Sequence, residues 1–203
     1  MILPDLRRSS PAALRNRAPI LAELRRLLPQ QAAFVLEIAS GTGEHAVFMA
    51  QGLPHLVWQP SDPDAANRAS IAAYREDSAL ANLRSPLALD ATAPTWPIAA
   101  CDAIFCANMV HIAPWEATLG LLGGAKRTLR AGGVLVLYGP YFEDEAPTPQ
   151  SNLAFDADLR MRDTAWGLRR VADIAAAAAG FDGPQRIAMP ANNLCLVFVR
   201  NGL

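Results

Sequence analysis

Residues 35–45 read VLEIASGTGEH, bringing a carboxylate, a run of small residues and a helix start into one short stretch. An apolar strand at 34–38 carries Glu37 near its end, and Ala39, Ser40, Gly41, Thr42 and Gly43 then form a tight turn. Glycines at such a turn let a ligand approach the backbone, because no side chain intervenes. The helix that opens near Glu44 presents unpaired N–H groups to whatever sits there. Glu37, just before the turn, favours a cationic, ammonium-bearing ligand over a bare phosphate.

Three more polar residues, Asp62, Asp90 and Asn108, end successive apolar runs. Ligands of open α/β sheets bind beyond the carboxyl ends of the strands. Asp62 falls roughly 20 positions after the turn, where a carboxylate can accept hydrogen bonds from both ribose hydroxyls. Asp90 suits an adenine amino group, and Glu37 the ammonium of an amino acid, directly or through water. Adenosine with an amino-acid tail is S-adenosylmethionine. Taken singly, each residue also has a plainer role. Asp62 could cap the next helix, with Asp64 as its rival for that place; Asp90 could be a loop residue and Asn108 a chain turn.

Elements of two kinds must hold these residues in place. Strands at 34–38, 56–59, 86–89, 103–107 and 134–138 alternate with helices near 44–51, 64–76 and 114–129. That alternation predicts a parallel sheet covered by helices on both faces. Ile20, Leu21, Leu24, Leu27 and Leu28 recur at helical spacing and predict a helix starting at Pro19, with residues 1–18 as an N-terminal arm. A helix at 171–179 closes on Gly180. Strands at 186–189 and 194–200 follow with only a short loop between, so they are antiparallel neighbours. The expectation is one α/β domain over 1–203: a doubly wound, Rossmann-like, mostly parallel seven-stranded sheet with an antiparallel strand at its C-terminal end. Residues 139–152 are the one long irregular stretch and a candidate lid.

The formal charge of −1 over 203 residues gives no sign of a polyanionic partner. The early arginines (Arg7, Arg8, Arg15, Arg17, Arg25 and Arg26) lack the interleaved aromatics of a nucleic-acid surface and read as a solvated helix face. Three cysteines, an odd and sparse count, fit a reducing cytoplasm. Cys101 and Cys106 face opposite sides if both lie on one strand, so no shared metal is expected. No signal peptide and no run of about 20 apolar residues is seen, which predicts neither export nor a membrane span.

The order of elements resembles the class I, seven-strand S-adenosylmethionine-dependent methyltransferases, and LRAGGVLVL at 129–137 is similar to their turn before the fifth strand. More narrowly, the chain resembles the domain-of-unknown-function 938 family, which includes methyltransferase-like protein 26. The matching segments are SPAALRNRAPIL (10–21), VLEIASGTGEH, WQPSDPD (58–64), DAIFCANMVHIAPWEAT (102–118), GGVLVLYGPY (132–141), SNLAFDADLRMRD (151–163) and MPANNLCLVF (189–198). The class resemblance implies that Glu37, Gly41 and Gly43 line the methionine end of the cofactor. It likewise places the ribose at Asp62, the adenine at Asp90 and Ala91, and the amino group at the Asn108 backbone. Ala39 stands where the broad class has glycine, which leaves less room beneath the cofactor. The family arm implies that Arg15 or Arg17 approaches the cofactor carboxylate; the plainer alternative is a solvated helix cap, with Asn16 as N-cap.

Methyl transfer from a sulfonium is an in-line displacement that needs alignment and exclusion of water, and a base only when the nucleophile arrives protonated. S-adenosylhomocysteine is the product. His111, just after the fourth strand, is the candidate base, with helix capping or a core hydrogen bond as the alternative. Tyr141, with Trp115, Tyr138 and Phe142, is a candidate substrate wall against ordinary core packing. The segment Asn108-Met-Val-His111 lacks the Asn/Asp-Pro-Pro-aromatic pattern of enzymes that methylate exocyclic amines, which favours a small-molecule acceptor. Two other readings stand. Gly41 to Ala46 fits G-x-G-x-x-A with Asp62 following, as in NAD(P)-dependent oxidoreductases. A non-catalytic S-adenosylmethionine-binding scaffold would carry the same turn.

Overall fold

The computed structural model describes residues 5–202. Its elements, in chain order, are α1 (Pro11–Leu27), β1 (Ala33–Ile38), α2 (Glu44–Gly52), β2 (Leu56–Pro60), α3 (Ala65–Ser78), β3 (Cys101–Ala107), α4 (Trp115–Thr128), β4 (Leu129–Gly139), α5 (Gln150–Arg162), α6 (Val171–Ala177), β5 (Phe181–Met189) and β6 (Asn193–Arg200). The strands form one sheet in the order β2-β1-β3-β4-β6-β5. β2, β1, β3 and β4 run parallel, and β6 is antiparallel to both of its neighbours.

Alternation along each strand sends side chains to two separate cores. Leu36, Ile38, Ile104 and Leu135 face α4 and α6. Val35, Ala103, Phe105 and Val136 face α1 and α2. Because both faces are covered, the strands read as continuous apolar runs. The two cores fix the carboxyl ends of β1, β2 and β3 along one rim, which is where Glu37, Asp62 and Asn108 lie.

Four sequence expectations change here. The sheet has six strands rather than seven, because residues 86–89 do not form one. Instead, Leu83 and Leu87 make isolated parallel bridges to Trp58 and Ser61 on the edge of β2. Pro60 and Pro86 each lack the N–H that a continuous ladder would need. Second, α1 starts at Pro11, capped by the Ser10 hydroxyl that accepts from the Ala13 N–H at 3.4 Å, and Pro19 lies inside the helix. A run of good helix formers between the two prolines carries the helix through, at the loss of one backbone bond. Of the predicted arm, residues 1–4 lie outside the described residues. Third, α5 occupies part of the stretch expected to be irregular. Its only buried residues are Asn152 and Leu159, so it shows no apolar stripe to read. Fourth, Cys101 and Cys106 face the same core, since a register irregularity between Cys101 and Ala103 resets the alternation.

Among the described residues, no helix is long and apolar enough to cross a membrane. The three cysteines are buried and free, and burial pushes each thiol up to about 12.

Candidate functional site

The turn after β1 alternates left-handed and ordinary backbone: Ala39 has φ 54°, Gly41 φ 58° and Gly43 φ 94°. The two glycines are needed for different reasons. A Cβ on Gly43 would stand 2.9 Å from the Ile71 Cα, so this residue admits α3 against the turn. A Cβ on Gly41 would meet nothing within 4 Å, so the backbone there borders open space. Ala39 holds the same conformation with a side chain, a strain of about 1 kcal/mol.

The turn is tied to the end of β2. The Ser40 N–H donates to the Ser61 carbonyl at 2.8 Å, and the Gly41 N–H donates to Asp62 Oδ2 at 2.9 Å. Asp62 Oδ1 accepts from the Asp64 N–H at 2.9 Å and from Asn67 Nδ2 at 3.1 Å. Three of the roughly four acceptor positions of this buried carboxylate are therefore used within the protein. One remains unused within the protein. Asp64 is the helix cap: its Oδ1 accepts from the Asn67 N–H at 2.8 Å.

Glu37 lies beneath the turn, 1% exposed, and accepts the Trp58 indole N–H at 2.8 Å. Burial raises its carboxyl to about 7, with the nearby Asp62 carboxylate adding to the rise. Asp90 is exposed, and its Oδ1 accepts from both the Thr92 N–H (2.8 Å) and the Thr92 hydroxyl (2.7 Å). Its Oδ2 makes no hydrogen bond among the described residues. Ala91 is buried where α4 crosses close, a Cβ on Gly120 reaching 2.5 Å from the Ala91 carbonyl. Asn108 is left-handed (φ 61°), donates its N–H to the Tyr138 carbonyl at 2.8 Å and accepts the His111 N–H at 3.1 Å.

The N-terminal segment folds onto this turn by contacts that sequence reading missed. Glu44, buried at the start of α2, accepts the Ser9 hydroxyl at 3.1 Å and the Ser10 N–H at 2.5 Å. Ser70 accepts the Arg8 N–H and donates to the Thr42 carbonyl, at 2.8 and 2.7 Å. Asn16, expected as a cap, instead bonds His45 Nε2 through its Oδ1 at 2.7 Å. Arg15 is exposed and makes no hydrogen bond or ion pair among the described residues, while Arg17 lies over the Phe48 ring at 4.7 Å. Glu44 is buried and needs donors, and Ser9 and Ser10 of the arm supply them.

Across the rim, His111 is fully buried in a short 3-10 turn (Met109–His111). Its ring packs edge-on against Tyr141 at 4.8 Å. Gly139 leaves the room: a Cβ there would stand 2.5 Å from His111 Nε2 and 3.3 Å from Asn108 Oδ1. Both ring nitrogens and the Tyr141 hydroxyl are buried without a hydrogen-bond partner. The capping alternative for His111 is therefore not seen, and the ring is buried in the core. Burial, reinforced by the Arg169 guanidinium, lowers the imidazole to about 3, far from the usual range expected of a base. Burial holds the Tyr141 phenol well above its ordinary value. Beyond Tyr141 lies a cavity of about 190 Å³. There Asn152 Nδ2 donates to the Asn192 carbonyl, and Asn192 Nδ2 to Ser151 Oγ, each at 3.0 Å.

The family described as "Protein of unknown function (DUF938)" matches residues 7–200. The chain belongs to that family. Among solved structures, the DUF938 chain is similar to an O-methyltransferase family protein from Burkholderia thailandensis, at 18% identity and a TM-score of 0.76, over 94% of this chain and 58% of that one. It is similar to mitomycin 7-O-methyltransferase MmcR, at 17% identity and 0.77, over 94% and 54%. It also matches CalO1, a methyltransferase in calicheamicin biosynthesis solved in its SAH-bound form, at 17% identity and 0.73, over 93% and 55%. The chain spans a little over half the length of each. These likenesses show a shared Rossmann-like α/β fold.

Proposed function

We propose that this DUF938 chain is an S-adenosylmethionine-dependent methyltransferase acting on a small-molecule acceptor. The observation that carries the reading is Gly41: a left-handed glycine facing open space, bonded to Asp62, at the carboxyl ends of two adjacent parallel strands. Glu37 adds to it, as a buried carboxylate that a neighbouring ammonium group would ionise fully. The methyltransferase fold of the neighbours agrees, and so does the antiparallel β6, which an all-parallel dinucleotide-binding sheet lacks.

When bound, S-adenosylmethionine supplies an electrophilic methyl group on a sulfonium. Backbone at residues 39–41 would flank it, the remaining acceptor position of Asp62 would take a ribose hydroxyl, and Asp90 Oδ2 would take a base amino group. The neutral His111 ring offers an acceptor and the protonated Tyr141 hydroxyl a donor. Together they orient an acceptor group rather than store its proton, because an imidazole near 3 does not hold a proton at neutral pH.

Calorimetric titration with S-adenosylhomocysteine and, separately, with NADH tests the reading. Binding of the first and not of the second is expected. Tight NADH binding without S-adenosylhomocysteine binding would overturn it in favour of an oxidoreductase.

A further inference from the structure

A second, larger cleft opens on the other side of the residues that follow β4. It measures about 800 Å³ and lies between α4 and α6 under the end of α5. Ligand sites span roughly 300–1,000 Å³, so this cleft is of ligand size while the cavity beside Tyr141 is not. Trp115 and Phe142 supply aromatic surface, and Arg160, Arg169 and Arg170 face them with Asp173 as the one acid.

Two of the arginines already have carboxylate partners: Arg160 pairs with Asp156 at 2.8 Å, and Arg170 with Asp144. Arg169 differs. Its half-buried guanidinium donates only to neutral carbonyls, those of Val110 (2.9 Å), Ala113 (2.7 Å) and Ala165 (3.0 Å). It lies over the Trp115 ring at 5.8 Å and forms no ion pair among the described residues. A half-buried cation that lies over an aromatic face and forms no ion pair is the complement of a planar anion.

The cleft shares a wall with the candidate chemistry. Arg169 holds the carbonyls on either side of His111. The Phe142 N–H, one residue after Tyr141, donates to the Arg169 carbonyl at 3.0 Å, and the Gly167 N–H donates to the His111 carbonyl at 3.0 Å.

We propose that this cleft binds a planar organic anion, an aromatic ring bearing a carboxylate. The ring stacks between Trp115 and Phe142, and the carboxylate meets Arg169 with Arg160 and Arg170 around it. The binding site stands independently of the methyl-transfer reading.

The test titrates the full chain, with no methyl donor present, against 2-naphthoate, the neutral isostere 2-naphthylmethanol and inorganic phosphate. Naphthoate should bind about tenfold or more tightly than either of the others, as expected for a charge-assisted pair. R169Q should abolish that preference. Because Arg169 also holds two backbone carbonyls, R160Q serves as the second variant: its guanidinium is exposed, and it should weaken naphthoate severalfold while leaving naphthylmethanol unchanged. Naphthoate and naphthylmethanol binding within twofold of each other would overturn the proposal. So would unchanged naphthoate affinity in R160Q, or phosphate binding as tightly as naphthoate. Naphthoate binding alongside failed S-adenosylhomocysteine binding would keep the anion site and remove the methyltransferase reading; the reverse would do the opposite.

Discussion

The two turns on the rim of this sheet are built in opposite ways. The turn at 39–45 is largely self-bonded: the Ser40, Gly41 and Gly43 N–H groups, the Asp62 and Glu44 carboxylates and Ser9, Ser40 and Ser70 bond one another or the arm. The turn at 108–111 leaves His111 with two unpartnered ring nitrogens and Tyr141 with an unpartnered hydroxyl, all buried. A site that completes its own hydrogen bonds holds its shape before a ligand arrives. A site with orphaned polar groups carries a standing desolvation penalty that a ligand with matching groups relieves. The first arrangement suits a ligand held in the same way in every turnover, as the proposed methyl donor would be. The second suits the group on which chemistry is done.

The sharpest way to break the contrast is at the glycines of the self-bonded turn. Gly43→Ala combines a left-handed backbone with a Cβ 2.9 Å from the Ile71 backbone, which cannot give way as a flexible side chain would. It should destabilise by about 3 kcal/mol or more, read from denaturant melts. Gly41→Ala, with open space around it, should lose only about 1 kcal/mol and should instead weaken S-adenosylhomocysteine binding. Equal losses of stability would mean that both glycines serve packing, and that the turn is not a ligand cradle.

Glu37 beneath the first turn and His111 in the second should also differ in the sign of their pH dependence. Glu37 has its carboxyl raised from 4.5 to about 7, so the folded state holds a proton that the unfolded chain has released. Its contribution is full below pH 4.5 and is lost as the pH rises through 7. His111 is lowered from 6.5 to about 3, so the unfolded chain binds the proton first, and stability falls as the pH drops below 6.5. His45, lowered to about 4, adds to the acid-side loss. Glu37→Gln should therefore gain on the wild type by on the order of 1–3 kcal/mol between pH 4.5 and 8. Parallel stability curves for the two proteins across that range would show that Glu37 is ionised in the folded state throughout.

How much of this was legible in the sequence follows from the same contrast. The self-bonded turn is local: its glycines, its carboxylates and the strands that carry them are neighbours in the chain or end consecutive apolar runs, and their places could be read directly. The boundaries of β1, α2, α3 and β3 follow from that periodicity. What stayed hidden depends on distant partners. Nothing near Glu44 says that Ser9 and Ser10 will bond it, and nothing near His111 says that its ring will be sealed under Gly139 with its pKa driven down. α5 was missed because a helix with two buried residues has no pattern, and the seventh strand was over-read because two prolines interrupt its ladder.

The smallest expected effect concerns the open turn, and there the direction matters more than the size. Removing a hydroxyl from a bonded site costs stability, whereas removing one that has no partner lifts a desolvation penalty. Tyr141→Phe deletes only the hydroxyl and keeps the ring against His111. In the self-bonded turn a comparable deletion would leave a buried donor unpaired; here nothing is left behind, because the hydroxyl bonds nothing in the protein. Stability should hold or rise by up to about 1 kcal/mol in denaturant melts. Under the proposed function, methyl transfer to an accepted substrate should fall while S-adenosylhomocysteine affinity stays at the wild-type value, because that proposal puts Tyr141 beside the acceptor group. A loss of stability beyond about 1 kcal/mol would reveal a partner for the hydroxyl in solution and would make the second turn as self-complete as the first.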